Sequence, residues 1–158
     1  MNREILFKAK RKSWKELPKE EWWVEGYLFD DGMPEPKHYF IGGIIVKPYE
    51  GTACDKWNVV GIDFCEIDIN TICQYTGLTD KNGKKIWEND IISINAYSYD
   101  EPEDDYFGVV TYCEKDACWS LNNNEKYGEI ICECFGSYTT EIINHGNIFD
   151  NPELLEVE

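Results

Sequence analysis

Seven cysteines and two histidines are the residues whose chemistry would be most diagnostic in this chain. Cys113-x4-Cys118, Cys132-x-Cys134, His38 and His145 hold the donor types of a zinc site, yet no CxxC pair is present. Cys132 and Cys134, two apart on an expected strand, point to one face, where a buried thiol acts as a small apolar group. A cysteine nucleophile would need its thiol beside His38 or His145. Cys54, in "EGTACDK", is the best placed for exposure, but the adjacent Asp55 opposes thiolate formation. Thirty-one carboxylates are too many to single out an acid–base pair. Glu88 and Asp90 are better read as acceptors for backbone donors at a turn. No phosphate-loop spacing occurs. The sequence therefore predicts no catalytic residues, no metal and no cofactor.

Charge narrows the partners. The formal net charge is −16, and residues 51–158 hold all of it, since residues 1–50 carry nine Lys/Arg against nine Asp/Glu. Such a surface repels phosphate backbones, so direct nucleic-acid binding is disfavoured. Arg3, Lys8, Lys10, Arg11, Lys12, Lys15 and Lys19 form a basic exception. They read as an edge strand protected by lysines, or as an arm for nucleic acid or an acidic partner. The start has no signal-peptide core and "FIGGIIV" is too short to span a bilayer. An odd set of cysteines suits reduced thiols. Together these predict a soluble, cytoplasmic protein.

Positioning falls to strands. Aromatics are 15% of the chain and apolar residues come in short bursts, a composition that suits an all-β fold with minor α content. "EILFKAKRK", "WWVEGYLFD", "HYFIGGIIVKPY" and "NVVGIDFCEIDIN" read as four strands. The second carries apolar bulk on both faces and so belongs in the middle of a sheet. Gly42 and Gly43 predict a bulge or a close backbone approach. In the last, Cys65, Ile67 and Ile69 alternate with Glu66, Asp68 and Asn70. "YDEPEDDYF" reads as an acidic loop. "YFGVVTYCEKDACWSLNN" reads as a hairpin turning near 114–116. The segment from 129 to 149 reads as strand with a break at Gly136, or as strand followed by a short helix near 139–143.

The sharpest pattern is "QYTGLTDKNGKKIWENDII", residues 74–92. Asn82-Gly83 between apolar segments is a strong hairpin signal, because both residues tolerate positive φ. Asn89 stands where a second bend calls for a left-handed residue. Gln74, Tyr75, Thr76, Gly77, Asp80, Asn82, Gly83, Glu88, Asn89 and Asp90 thus define two reversals in quick succession, the start of a small curled barrel.

With "REILFKAKRK" and "WVEGYLF" before it and "HGNIFDNPELLE" after it, this stretch resembles the YopX family of phage and prophage proteins. Asn89 stands where that family more often has Gly, and residues 47–65 match none of its motifs. The resemblance implies an SH3-like barrel with additional N-terminal strands packed on it, and a setting in phage-derived genes. It implies no established activity and supplies no catalytic residues. The domain is expected to span 1–158, with N-terminal strands (1–70) and a barrel part (71–158) as its lobes.

Trp23, Tyr97, Tyr99, Tyr106 and Phe107 are the expected partner-binding residues, since rings of this kind anchor protein interfaces. Two functions follow. One is a non-enzymatic module that binds a protein partner or associates with itself. The other is an acidic decoy that mimics nucleic acid and occupies the basic groove of a host or phage protein.

Overall fold

Alternation of apolar residues, punctuated by Gly, Pro and Asn, produces strands over most of the described residues. The protein, seen here in a computed structural model, is described over residues 4–48, 57–96, 104–115, 117–122 and 139–156. The fold is all-β and antiparallel. Its helical elements among the described residues are 3-10 turns of three or four residues, including Pro152–Leu155 in the tail. The chain divides into two compact units, residues 5–73 and residues 74–158, the second joined by residues 1–4.

In the first unit β1 (Phe7–Lys10), β2 (Trp23–Asp30), β3 (Tyr39–Pro48) and β4 (Trp57–Glu66) lie in the order β4-β3-β2-β1. One face is the core, built on Ala9, Ile41 and Ile67 with Phe7, Val24, Leu28, Tyr39 and Ile72 against them. β2 is interior, as expected, but the reason differs. Its second face is not buried: Tyr27 and Phe29 are exposed. Gly42 marks a close approach, since a Cβ there would collide with the Asp63 carbonyl. The irregularity in β3–β4 pairing falls later, between Ile45 and Val46. The alternation expected to run to Asn70 stops at Glu66. Asp68 accepts a hydrogen bond from Asn70 N at 3.2 Å and caps a 3-10 turn at Ile69–Thr71, which takes the chain out of extended conformation.

In the second unit β5 (Cys73–Thr79), which starts at the boundary, forms a hairpin with β6 (Lys85–Trp87). β7 (Asp90–Ala96), β8 (Asp104–Cys113), β9 (Cys118–Asn122) and β10 (Thr139–Asn147) make a sheet in the order β10-β7-β8-β9. Its core gathers Ile86, Ile92, Ile94, Val110, Trp119, Leu121 and Ile142. Each buried Ile or Leu contributes about 1.5–3 kcal/mol. One expectation is corrected: residues 104–107 are strand rather than loop, because Asp105 and Phe107 pair with Asn95 and Ser93. Of the two readings of residues 139–143, the strand holds and the helix does not, since they pair with β7. No helix is long and apolar enough to cross a membrane among the described residues.

Candidate functional site

Residues 74–92 are held by their own side chains. Asp80 Oδ1 accepts from Asn82 N at 2.8 Å and from Lys84 N at 2.9 Å, while Gly83 N donates to Asp80 O at 2.9 Å. Burial pushes the Asp80 carboxyl up, but the backbone donors of Lys84 and Asn82 outweigh it and hold the group below its ordinary value. Gly83 has φ 79°, whereas Asn82 keeps negative φ. The expected pair of positive-φ residues is thus reduced to one, because the Asp80 clamp favours an Asx-type turn closed by a single left-handed glycine.

The second bend places Asn89 at φ 66°. Its N–H donates to Val110 O at 2.8 Å and its carbonyl accepts from Ile148 N at 3.1 Å. Asp90, 2% exposed, accepts from Trp87 N at 2.9 Å and Asn144 Nδ2 at 2.7 Å. Glu88 accepts from Gln74 N at 3.3 Å. Thr76 Oγ1 donates to Ile86 O at 2.8 Å, Tyr75 and Trp87 pack at 5.3 Å, and Gly77 has φ 89°. Most of these groups act on backbone geometry.

The chemical candidates are dispersed. Among the described residues no three His, Cys, Asp or Glu side chains converge as metal ligands. Cys113 and Cys118 stand opposite one another across the β8–β9 hairpin. Cys54, Cys132 and Cys134 lie outside the described residues. His38 Nδ1 meets Glu66 Oε1 at 2.9 Å, and Lys12 Nζ is 3.4 Å from the same oxygen. The His38 hydrogen bond, helped by Lys12, holds Glu66 below its ordinary value against the desolvation that raises it. Ser93 Oγ and His145 Nε2 are 2.8 Å apart, a pairing of residues 52 apart that no sequence signal announces. The pair is exposed, with Phe107 beside the imidazole at 5.7 Å.

Of the rings expected at a partner surface, Phe107 is 40% exposed. Tyr106 is half-buried and packs on the core of its unit. Trp23 is half-buried and covered by lysines, with Lys8 Nζ at 5.2 Å and Lys10 Nζ at 5.5 Å from its ring. Tyr97 and Tyr99 lie outside the described residues. Lys10 departs from the reading of the basic segment as an edge strand protected by exposed lysines. It is 2% exposed, with Nζ 4.1 Å from the Trp14 ring and 4.4 Å from the Trp22 ring. Desolvated cation–π contacts of this kind are worth about 2 kcal/mol.

An exposed apolar face among the described residues was missed from the sequence. Residues opposite one another in antiparallel strands share a face, and the register pairs Tyr27 with Gly42, Gly42 with Phe64, and Ile44 with Ile62. Tyr27, Phe29, Ile44, Ile62 and Phe64 therefore stand on one side of β2–β3–β4, all exposed, with Ile44 at 65% and Ile62 at 64%. Phe29 and Phe64 meet edge-to-face at 4.9 Å. The signal that could have found them is the odd-numbered series Tyr27, Phe29 on a strand whose even-numbered residues already supply the core.

Residues 30–156 match the family described as YopX protein. The chain belongs to the YopX family. The match leaves the N-terminal strands β1 and most of β2 outside it and takes in both turns of the 74–92 motif. This YopX chain is also similar to a solved structure, the crystal structure of protein EF1440 from Enterococcus faecalis. The two share 21% identity with a TM-score of 0.54, over 98% of this chain and 100% of that one. That likeness shows a common fold. No curated protein matches the chain.

Proposed function

We propose that this YopX chain is a phage-derived accessory protein, a non-enzymatic β module that binds a protein partner or a copy of itself. The observation that carries the reading is the apolar face of β2–β3–β4, where five large side chains stand in solvent on adjoining strands. Contiguous apolar surface of this sort marks interaction sites, whereas scattered single residues do not. The two reversals of residues 80–83 and 88–89 further support an SH3-like curl in the second unit.

The test compares affinity capture and chemical cross-linking by the wild-type chain with capture by Ile44→Lys and Ile62→Lys, both at exposed positions that leave the core intact. Loss of the captured species in both variants is expected. Unchanged capture by both overturns the reading. The acidic-decoy reading ranks second, because three of the acids it would draw on, Asp80, Glu88 and Asp90, accept hydrogen bonds from backbone donors of their own unit. Capture that collapses with added salt but ignores both substitutions would favour the decoy instead.

A further inference from the structure

The apolar face of β2–β3–β4 has a particular chemistry at its margins. Lys37 Nζ is 3.8 Å from Asp30 Oδ2, and Lys12 and His38 both engage Glu66. These rim charges are paired within the chain, and the exposed Glu25 and Asp63 border the same face. The surrounding unit is close to neutral, with nine Lys/Arg and 12 Asp/Glu between residues 5 and 73. Residues 74–158 contrast sharply, with five Lys and 18 Asp/Glu. Two copies approaching through the second unit would repel each other, whereas the first unit offers a face with no such barrier.

We infer that a second copy of this chain occupies the β2–β3–β4 face, forming a two-fold dimer by packing sheet on sheet. This rests on the reading of that face as a protein-binding surface and names its partner. A two-fold contact is self-complementary, so an apolar patch on a nearly neutral unit is matched by another of the same kind. The cross-strand rows favour that packing. Ile44 and Ile62 form one ridge and Phe29 and Phe64 another, so a second sheet can lay its own ridges alongside them.

The patch covers three strands by five residues, about 14 by 17 Å at ordinary strand spacings. That is well short of the roughly 800 Å² per partner of a standard interface, so the dimer forms at micromolar or higher concentrations.

The experiment is sedimentation velocity of the full chain from about 1 to 500 μM, at 50 and 500 mM salt, beside Ile44→Lys, Ile62→Lys and Phe107→Lys. The weight-average mass of the wild type should rise from 18.5 kDa towards twice that value. Higher salt should leave the rise intact or strengthen it, because repulsion between the acidic units is screened. Ile44→Lys and Ile62→Lys should stay at monomer mass throughout with melting curves like the wild type, while Phe107→Lys, on the other unit, should dimerise as the wild type does. A wild type that stays monomeric to 500 μM overturns the inference, as does dimerisation untouched by the β3 and β4 substitutions. If the wild type is monomeric yet loses a captured partner in Ile44→Lys, the self-pairing falls and the binding-module reading stands. If neither mass nor capture responds, both fall.

Discussion

Replacing Asp80 with alanine should unfold the second unit more easily by an amount set by two hydrogen bonds. Asp80 is 7% exposed, and its Oδ1 takes the N–H groups of Asn82 and Lys84 at 2.8 and 2.9 Å. Bonds to a charged acceptor contribute about 1.5–3 kcal/mol each, but both donors sit at an exposed turn where water can replace the carboxylate, so a total of about 2 kcal/mol is expected. In a chain of this length that lowers the melting midpoint by about 4–8 °C. Asp80→Asn adds a test of charge. The folded-state carboxyl lies below its ordinary value, so its ionised form stabilises the fold above the unfolded-state pKa, and that contribution is lost as pH falls through the folded-state pKa. Urea titrations from pH 7 down to pH 3 should therefore show a constant gap between wild type and Asp80→Asn until about pH 4, narrowing below it. A gap that ignores pH throughout, or an alanine variant as stable as the wild type, refutes the clamp.

Asn89→Gly should lie within about 0.5 kcal/mol of the wild type in urea, since glycine reaches positive φ freely, while Asn89→Val should lose about 1–2 kcal/mol at φ 66°. Equal stability of the two variants would remove any need for a left-handed residue there. Gly42→Ala should weaken β3–β4 pairing, because the new methyl meets the Asp63 carbonyl; hydrogen exchange at the β3 and β4 amides should quicken several-fold, and unchanged exchange would contradict the close approach. Lys10→Ala should cost about 2 kcal/mol through the lost ring contacts and stem packing, read from the denaturation midpoint of the first unit.

Local patterns were legible where one residue type decides the backbone. Asn89 and Gly83 announce left-handed positions because few other residues adopt them, and the β-rich architecture follows from alternation that helices would not tolerate. Faces were harder. In β2 both the Val24–Leu28 and the Tyr27–Phe29 series are apolar, so alternation defines two faces without saying which is covered. Lys10 misled for the opposite reason, since a lysine reads as solvated until the indoles of Trp14 and Trp22 are brought above it from further along the chain. The Ser93–His145 contact depends on β7–β10 register and has no local signature.

The placement of the indoles has a practical outcome. Trp14, Trp22 and Trp23 surround an ammonium group in one unit, and Trp87 and Trp119 are buried in the other. Each half of the molecule thus carries its own intrinsic fluorophores in a distinct polarity, and emission recorded at two wavelengths during denaturation can follow the halves separately without any attached dye.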